Sequence, residues 1–158
     1  MYTKKFEIRW SDVDANKHLA NSAYTNYMSH MRILAFDQVG LTLQKMTDLN
    51  LAPVVFYEHT YYFKEIRESS VMVSFELSGL SKDGMFFSFN HNFYNSKGKN
   101  LAHSKMMGAW IDFNSRRLIS LSSNYITDLN NLPKSKDFRI LTKDDTRAFG
   151  VKPKDIST

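Results

Sequence analysis

Residues 9–40, RWSDVDANKHLANSAYTNYMSHMRILAFDQVG, hold the one long helical period in the chain, and the remaining elements have to be arranged around it. Tyr24, Tyr27, Met28, Met31, Leu34, Ala35 and Val39 recur at spacings of three and four, as on a helix with one buried face. Thr25, Asn26, Ser29, Arg32 and Asp37 fall mostly between them. Asn21 stands where an N-cap is expected and Gly40 where a left-handed stop is expected. Just ahead of the helix, Asp12, Asp14, Asn16, His18 and Asn21 crowd into ten residues. A carboxylate and a histidine therefore precede a helix N-terminus, whose unpaired N–H groups favour nearby negative charge.

The flanking sequence alternates with period two rather than 3.6. Residues 4–10 read as a short strand with Phe6, Ile8 and Trp10 on one face. Residues 41–51 read as a loop with a short helical turn. Residues 54–66 form a strand in which Val55, Tyr57, His59, Tyr61 and Phe63 share a face. Three more follow, at 71–78, 87–94 and 101–113, joined by the turn sequences Ser81-Lys82-Asp83-Gly84 and Asn95-Ser96-Lys97-Gly98. Gly108, inside the last of them, marks a bulge or a close backbone approach. One strand, one long helix and then four strands predict an α+β fold, an antiparallel sheet wrapped around a central helix. The pattern weakens after Asn114. The domain is expected to span 1–132, with 133–158 a basic extension of unknown function. That extension holds seven Lys or Arg, four Asp or Glu and two prolines, and reads as a surface segment with short helical pieces.

The run D-V-D-A-N-K-H-L-A-N-S-A-Y, residues 12–24, resembles the first motif of the hotdog-fold acyl-CoA thioesterases, which include the 4-hydroxybenzoyl-CoA thioesterase type and related acyl-ACP thioesterases. Their pattern is D-x-D-x-x-G-H-V-x-N-x-x-Y followed by a long central helix. Asp12, Asp14, His18, Asn21 and Tyr24 match, and Leu19 replaces Val. Lys17 stands where the family carries Gly, a position that often needs φ > 0 or close backbone approach. The resemblance covers about residues 5–120. It implies the hotdog architecture, thioester hydrolysis, and an acyl-CoA or acyl carrier protein thioester as substrate.

The resemblance puts the catalytic carboxylate at Asp14, as general base on water or as nucleophile on the carbonyl. Hydrolysis also needs donors for the oxyanion, and the backbone N–H at or next to Asn21 is placed to be one. His18 either contacts the carbonyl or attacking water, or holds the loop. Asp12 either orders the loop or lies against substrate. Tyr24 either packs in the helix face or lies against substrate. Glu58 is a solvated strand residue or a second-site carboxylate reaching across a dimer, and His91 and His103 are surface or interface residues. The helix carries no acid of the kind that serves as base in some relatives.

Composition closes off several classes. There are no cysteines, hence no disulfide, thiolate metal site or Cys nucleophile, and no metal or cofactor is expected. No stretch of apolar residues is long enough to span a membrane, and residues 1–10 lack a signal core, so a cytoplasmic location is expected. The charge of +5 is spread rather than clustered, which argues against nucleic acid and suits a polyphosphate-bearing substrate. Aromatic residues at 14% exceed what one helix can cover, and a homodimer or homotetramer is expected. Two other functions remain open: a non-catalytic acyl-thioester sensor, and a hydratase, whose Asp–His layout usually follows a helix rather than preceding one.

Overall fold

The computed structural model describes residues 1–156. Strand β1 (Tyr2–Glu7) leads through a short 3-10 turn at Trp10–Asp12 into helix α1 (Asn21–Gln38) and a second helix α2 (Leu43–Asp48). Strands β2 (Leu51–Tyr62), β3 (Ser70–Ser81), β4 (Phe86–Tyr94) and β5 (Asn100–Asp112) follow. Helix α3 (Ser123–Asn130), strand β6 (Lys134–Leu141) and a 3-10 turn at Lys143–Arg147 complete the chain. The sheet order is β1-β3-β4-β5-β2, all antiparallel, with β6 pairing parallel to β3 beyond the reach of β1.

The sheet curls around α1. Tyr24, Tyr27, Met28, Met31 and Ala35 are buried against Val71, Val73, Phe75 and Leu77 of β3, Phe87, Phe89 and Phe93 of β4, and Met106 and Trp110 of β5. Alternate strand residues fill this core because successive side chains in a strand point to opposite faces. Phe36 packs among Phe87, Phe89 and Trp110 with ring centroids 4.9–5.7 Å apart. Gly40 ends the helix region at φ +74°, as expected of a left-handed stop. At Gly108 a Cβ would lie 2.4 Å from the Val54 carbonyl oxygen, so the close-approach reading applies there. The bulge itself is on β2, at Phe56, where the register with β5 slips between Val55 and Tyr57.

Three expectations need correction. Trp10 is 93% exposed and begins the 3-10 turn, so the first strand stops at Glu7 and only Phe6 and Ile8 of the predicted face pack on the core. Residues 134–141, read as a surface segment with helical pieces, form a strand of the same sheet; no period-two pattern announces it because only Ser135 and Leu141 of it are buried, six residues apart. The outer face of the central strands is aromatic only in part: Phe86 clusters there with Met107, Ala109, Phe56 and Tyr57, and the rest is polar. Ser74, Ser88, Asn90 and Asn92 lie there in hydrogen bonds, among them Asn92 Nδ2 to Ser74 Oγ and Asn90 Nδ2 to Asp137 Oδ1 of β6. Exposed Val55, Tyr61, Tyr62 and Phe63 gather instead along β2, the free edge of the sheet.

Candidate functional site

The motif between the 3-10 turn and α1 is a small hairpin. Val13 and Leu19 form an antiparallel bridge, Asp14 N–H donates to the His18 carbonyl at 3.0 Å, and Lys17 N–H donates to the Asp14 carbonyl at 3.0 Å. A three-residue loop of this kind ends in a left-handed residue, and Lys17 takes that place at φ +62°. This explains the family's Gly at the position: Lys17 keeps the loop's shape and bears the strain of the conformation.

The two aspartates of the motif do different things. Asp12 is 5% exposed, and its carboxylate is already fully engaged. It accepts from the Arg9 backbone N–H at 3.2 Å, from Arg9 Nε and NH2 at 3.1 Å each, and from the Tyr27 hydroxyl at 2.7 Å. The Arg9 bonds, and after them the Tyr27 bond, hold the Asp12 carboxyl below the usual range, whereas burial above all pushes the Tyr27 phenol up. The Asp12 carbonyl takes the Ala20 N–H at 2.8 Å, tying the loop's entrance to the start of the helix. This is the geometry of a loop anchor. Asp14, by contrast, is 31% exposed. Its Oδ1 accepts from the Asn16 N–H at 2.8 Å, and its Oδ2 stands 3.5 Å from His18 Nδ1, which is itself 3.3 Å from the Leu19 carbonyl oxygen.

Asn21 is not the N-cap. Ala20 occupies that position with extended backbone and no side-chain cap, and Asn21 is the first helical residue. The cap is therefore missing, and the Asn21 and Ser22 amides have no acceptor among the described residues. Free N–H groups at the positive end of an 18-residue helix are a ready site for an anion or oxyanion.

Asp14, His18, Asn21 and Tyr24 line one cleft of about 450 Å³, with Leu19, Tyr62, Phe63, Lys64 and Glu65 completing its walls. Asp12 is outside it. Tyr24 is buried edge-on against Tyr62, centroids 5.0 Å apart, and burial first, then Tyr62, raises its phenol to about 12, leaving a neutral hydroxyl. The segment 62–65 was not singled out in the sequence, and nothing local marks it; only the approach of the end of β2 to the start of α1 makes it a wall. Arg32 and Glu58, the latter expected as a solvated strand residue or a second-site carboxylate, pair with each other. Arg32 is 8% exposed, and its NH1 donates to Glu58 Oε1 at 2.6 Å, so Glu58 is neither a free surface acid nor an unpaired one. His91 lies in the interior rather than at the surface, its Nδ1 3.0 Å from the Ser74 carbonyl oxygen. Among the described residues no three His, Asp or Glu side chains gather as metal ligands do, and no helix is long and apolar enough to cross a membrane.

A curled antiparallel sheet around one long helix, with the polar motif loop at that helix's N-terminus, is the hotdog fold. Residues 8–139 match the model of the thioesterase-like superfamily, and the chain belongs to that family. No curated protein matches it significantly in sequence. Among solved structures it is similar to a hypothetical protein from Aquifex aeolicus, with a TM-score of 0.74, 18% identity, and 82% of this chain and 99% of that one covered. It is similar also to a Staphylococcus aureus protein solved in complex with CoA, with a TM-score of 0.74, 17% identity, and 98% and 94% covered. A 1,4-dihydroxy-2-naphthoyl-CoA thioesterase from Synechocystis aligns with a TM-score of 0.72, 13% identity, and 83% and 96% covered.

Proposed function

We propose that this protein is a thioesterase that hydrolyses an acyl-CoA or acyl carrier protein thioester to the free acid and thiol. The observation that carries this reading is the cleft that joins the Asp14 carboxylate to Asn21, the first residue of the uncapped helix start. In this reading the thioester carbonyl sits over the start of α1, where the amides and helix dipole stabilise the oxyanion. Asp14 Oδ2, the oxygen not taken by the Asn16 N–H, takes a proton from water or attacks the carbonyl itself. His18, within 3.5 Å of Asp14, orients the carboxylate or the water. Tyr24 presents a neutral hydroxyl to the cleft, and Asp12 acts only through the loop it anchors. The superfamily match and the CoA-bound and CoA-thioesterase structural neighbours favour a CoA thioester.

The working unit in this reading is a homo-oligomer, at least a dimer. Strand β2 is an unpaired edge carrying stacked His59–Tyr61 and Tyr61–Phe63 rings, a surface that a monomer would have to protect. Light scattering at micromolar concentration should show a dimer or tetramer, and a stable monomer would refute this part. The catalytic reading is tested by free-thiol release from a panel of acyl-CoA substrates, with Asp14→Asn losing about 10²–10⁴ in kcat at little change in KM. Equal turnover by Asp14→Asn and the parent would refute the role of Asp14. Saturable binding of acyl-CoA without thiol release would favour the sensor reading.

A further inference from the structure

A second cleft, also of about 450 Å³, lies on the other side of the sheet. Its floor is Val54, Phe56, Phe86, Ile111 and Leu118. Phe86 and Ile111 alternate with Phe87 and Trp110, which point into the core beneath α1, so this floor faces away from the helix. It also lies at the far end of β2: the strand from Val54 to Tyr62, which lines the cleft at α1, spans about 26 Å. None of the residues of the second cleft lines the first.

Three cations border this apolar floor. Arg116 belongs to the turn closed by the Ile111–Leu118 bridge, where it sits at φ +59°. Lys143 and Arg147 belong to the 3-10 turn of the C-terminal extension. That turn is held at both ends. Leu141 is buried among Phe86, Met107 and Ala109, and the Phe149 ring packs 5.2 Å from Tyr57 and 5.0 Å from His59. No acid lines the cleft. Asp112 accepts from Asn50 Nδ2 and the Ser115 N–H, Asp145 accepts from the Thr142 N–H and from Arg139, and Asp144 is exposed outside it. Arg116, Lys143 and Arg147 therefore form no ion pair among the described residues. Arg116 lies 5.7 Å over the Phe113 ring, and Arg147 NH1 donates to the Thr146 carbonyl at 3.3 Å. A neutral ligand would leave these charges unmatched, and a small inorganic anion would leave the floor uncovered.

We propose that this cleft is a second binding site, for an amphipathic anion: an apolar body that covers the floor and a carboxylate or phosphate head that meets Arg116, Lys143 and Arg147. Guanidinium groups suit either head, because both accept paired N–H bonds. The site stands whether or not the protein hydrolyses thioesters. It is tested by titrating the isotopically labelled full-length protein with octanoate, octyl phosphate and octanol, following the backbone amide resonances. The two anions tell a carboxylate head from a phosphate head, and the alcohol measures what the apolar body does alone. At least one anion should bind with Kd at or below about 1 mM, at least about tenfold more tightly than octanol, and should move the Val54, Phe56 and Thr146 amides. A Lys143→Gln/Arg147→Gln double variant should weaken that anion by about tenfold or more. So should Arg116→Asn, which changes the other segment with a residue that tolerates the left-handed backbone. Octanol bound as tightly as both anions overturns the proposal, as does unchanged anion affinity in either folded variant. Shifts confined to Asp14, His18 and Asn21 assign the anion to the first cleft and overturn it too. So does the absence of binding by both anions at about 10 mM.

Discussion

Asp12 and Asp14 sit two residues apart, yet substituting each by Asn should give opposite results. The Asp12 carboxylate accepts three bonds from Arg9 and one from Tyr27 while 5% exposed. An amide there can keep its oxygen at the Oδ2 position but turns an N–H₂ group toward Arg9 NH2, so one donor loses its acceptor and the remaining bonds lose the carboxylate's charge, at about 1–3 kcal/mol. The Arg9 side chain is 68% exposed, so its charge interaction adds no more than about 1 kcal/mol. Together Asp12→Asn should cost about 1–4 kcal/mol, which in a chain of this length lowers Tm by about 2–16 °C. Asp14 makes one exposed backbone bond through Oδ1, which an amide oxygen can still accept, so Asp14→Asn should stay within about 0.5 kcal/mol of the parent. Circular-dichroism melts of the three proteins, run beside thiol-release assays, separate the roles. Asp12→Asn should lose stability first and activity in proportion to the loop's disorder; Asp14→Asn should lose activity at unchanged Tm. The loss from Asp12 also has a pH signature. Its folded pKa is depressed, so the stabilisation is present above the unfolded value of about 3.9 and vanishes as pH falls through the folded one. The melting curves of parent and Asp12→Asn should therefore converge in acid. Equal Tm losses for the two variants, or a larger loss for Asp14→Asn, would refute the assignment of anchor and reactive carboxylate.

Lys17→Gly should stabilise, because relieving a left-handed Lys returns about 1–2 kcal/mol against about 0.5–1 kcal/mol for the freer unfolded glycine; a lower Tm than the parent's would contradict the strain at φ +62°. His91 is pushed down to about 3, chiefly by burial and then by the Arg32 charge, so below pH 6.5 the unfolded chain binds a proton that the folded chain refuses. Stability should then fall by up to about 1.4 kcal/mol per pH unit from 6.5 toward 3, and an identical slope in His91→Met would refute the assignment. EDTA should leave thiol release unchanged, and activity lost to EDTA and restored by Zn²⁺ or Mg²⁺ would contradict the metal-free mechanism.

Elements whose signal is local are legible in the chain alone. The 3.6 period from Tyr24 to Ala35 defined α1 and its buried face, and the period-two runs defined most of β2 to β5, because helix and strand each repeat within a few residues. The motif also placed Asp14, His18, Asn21 and Tyr24 within reach of one helix start, where the structure gathers them into one cleft. Contacts between distant residues arise only when the chain folds. The buried role of Asp12 depends on Tyr27, fifteen residues on, and the pairing of Arg32 depends on Glu58, twenty-six residues away on another element. The wall at 62–65 exists because β2 ends beside the start of α1, and β6 is a strand because β3 leaves a free edge beyond β1. A carboxylate or guanidinium has the same local sequence pattern whether it is solvated, paired or reactive. Its role is fixed by the burial and partners it acquires when the sheet closes over the helix, and no period in the chain encodes those.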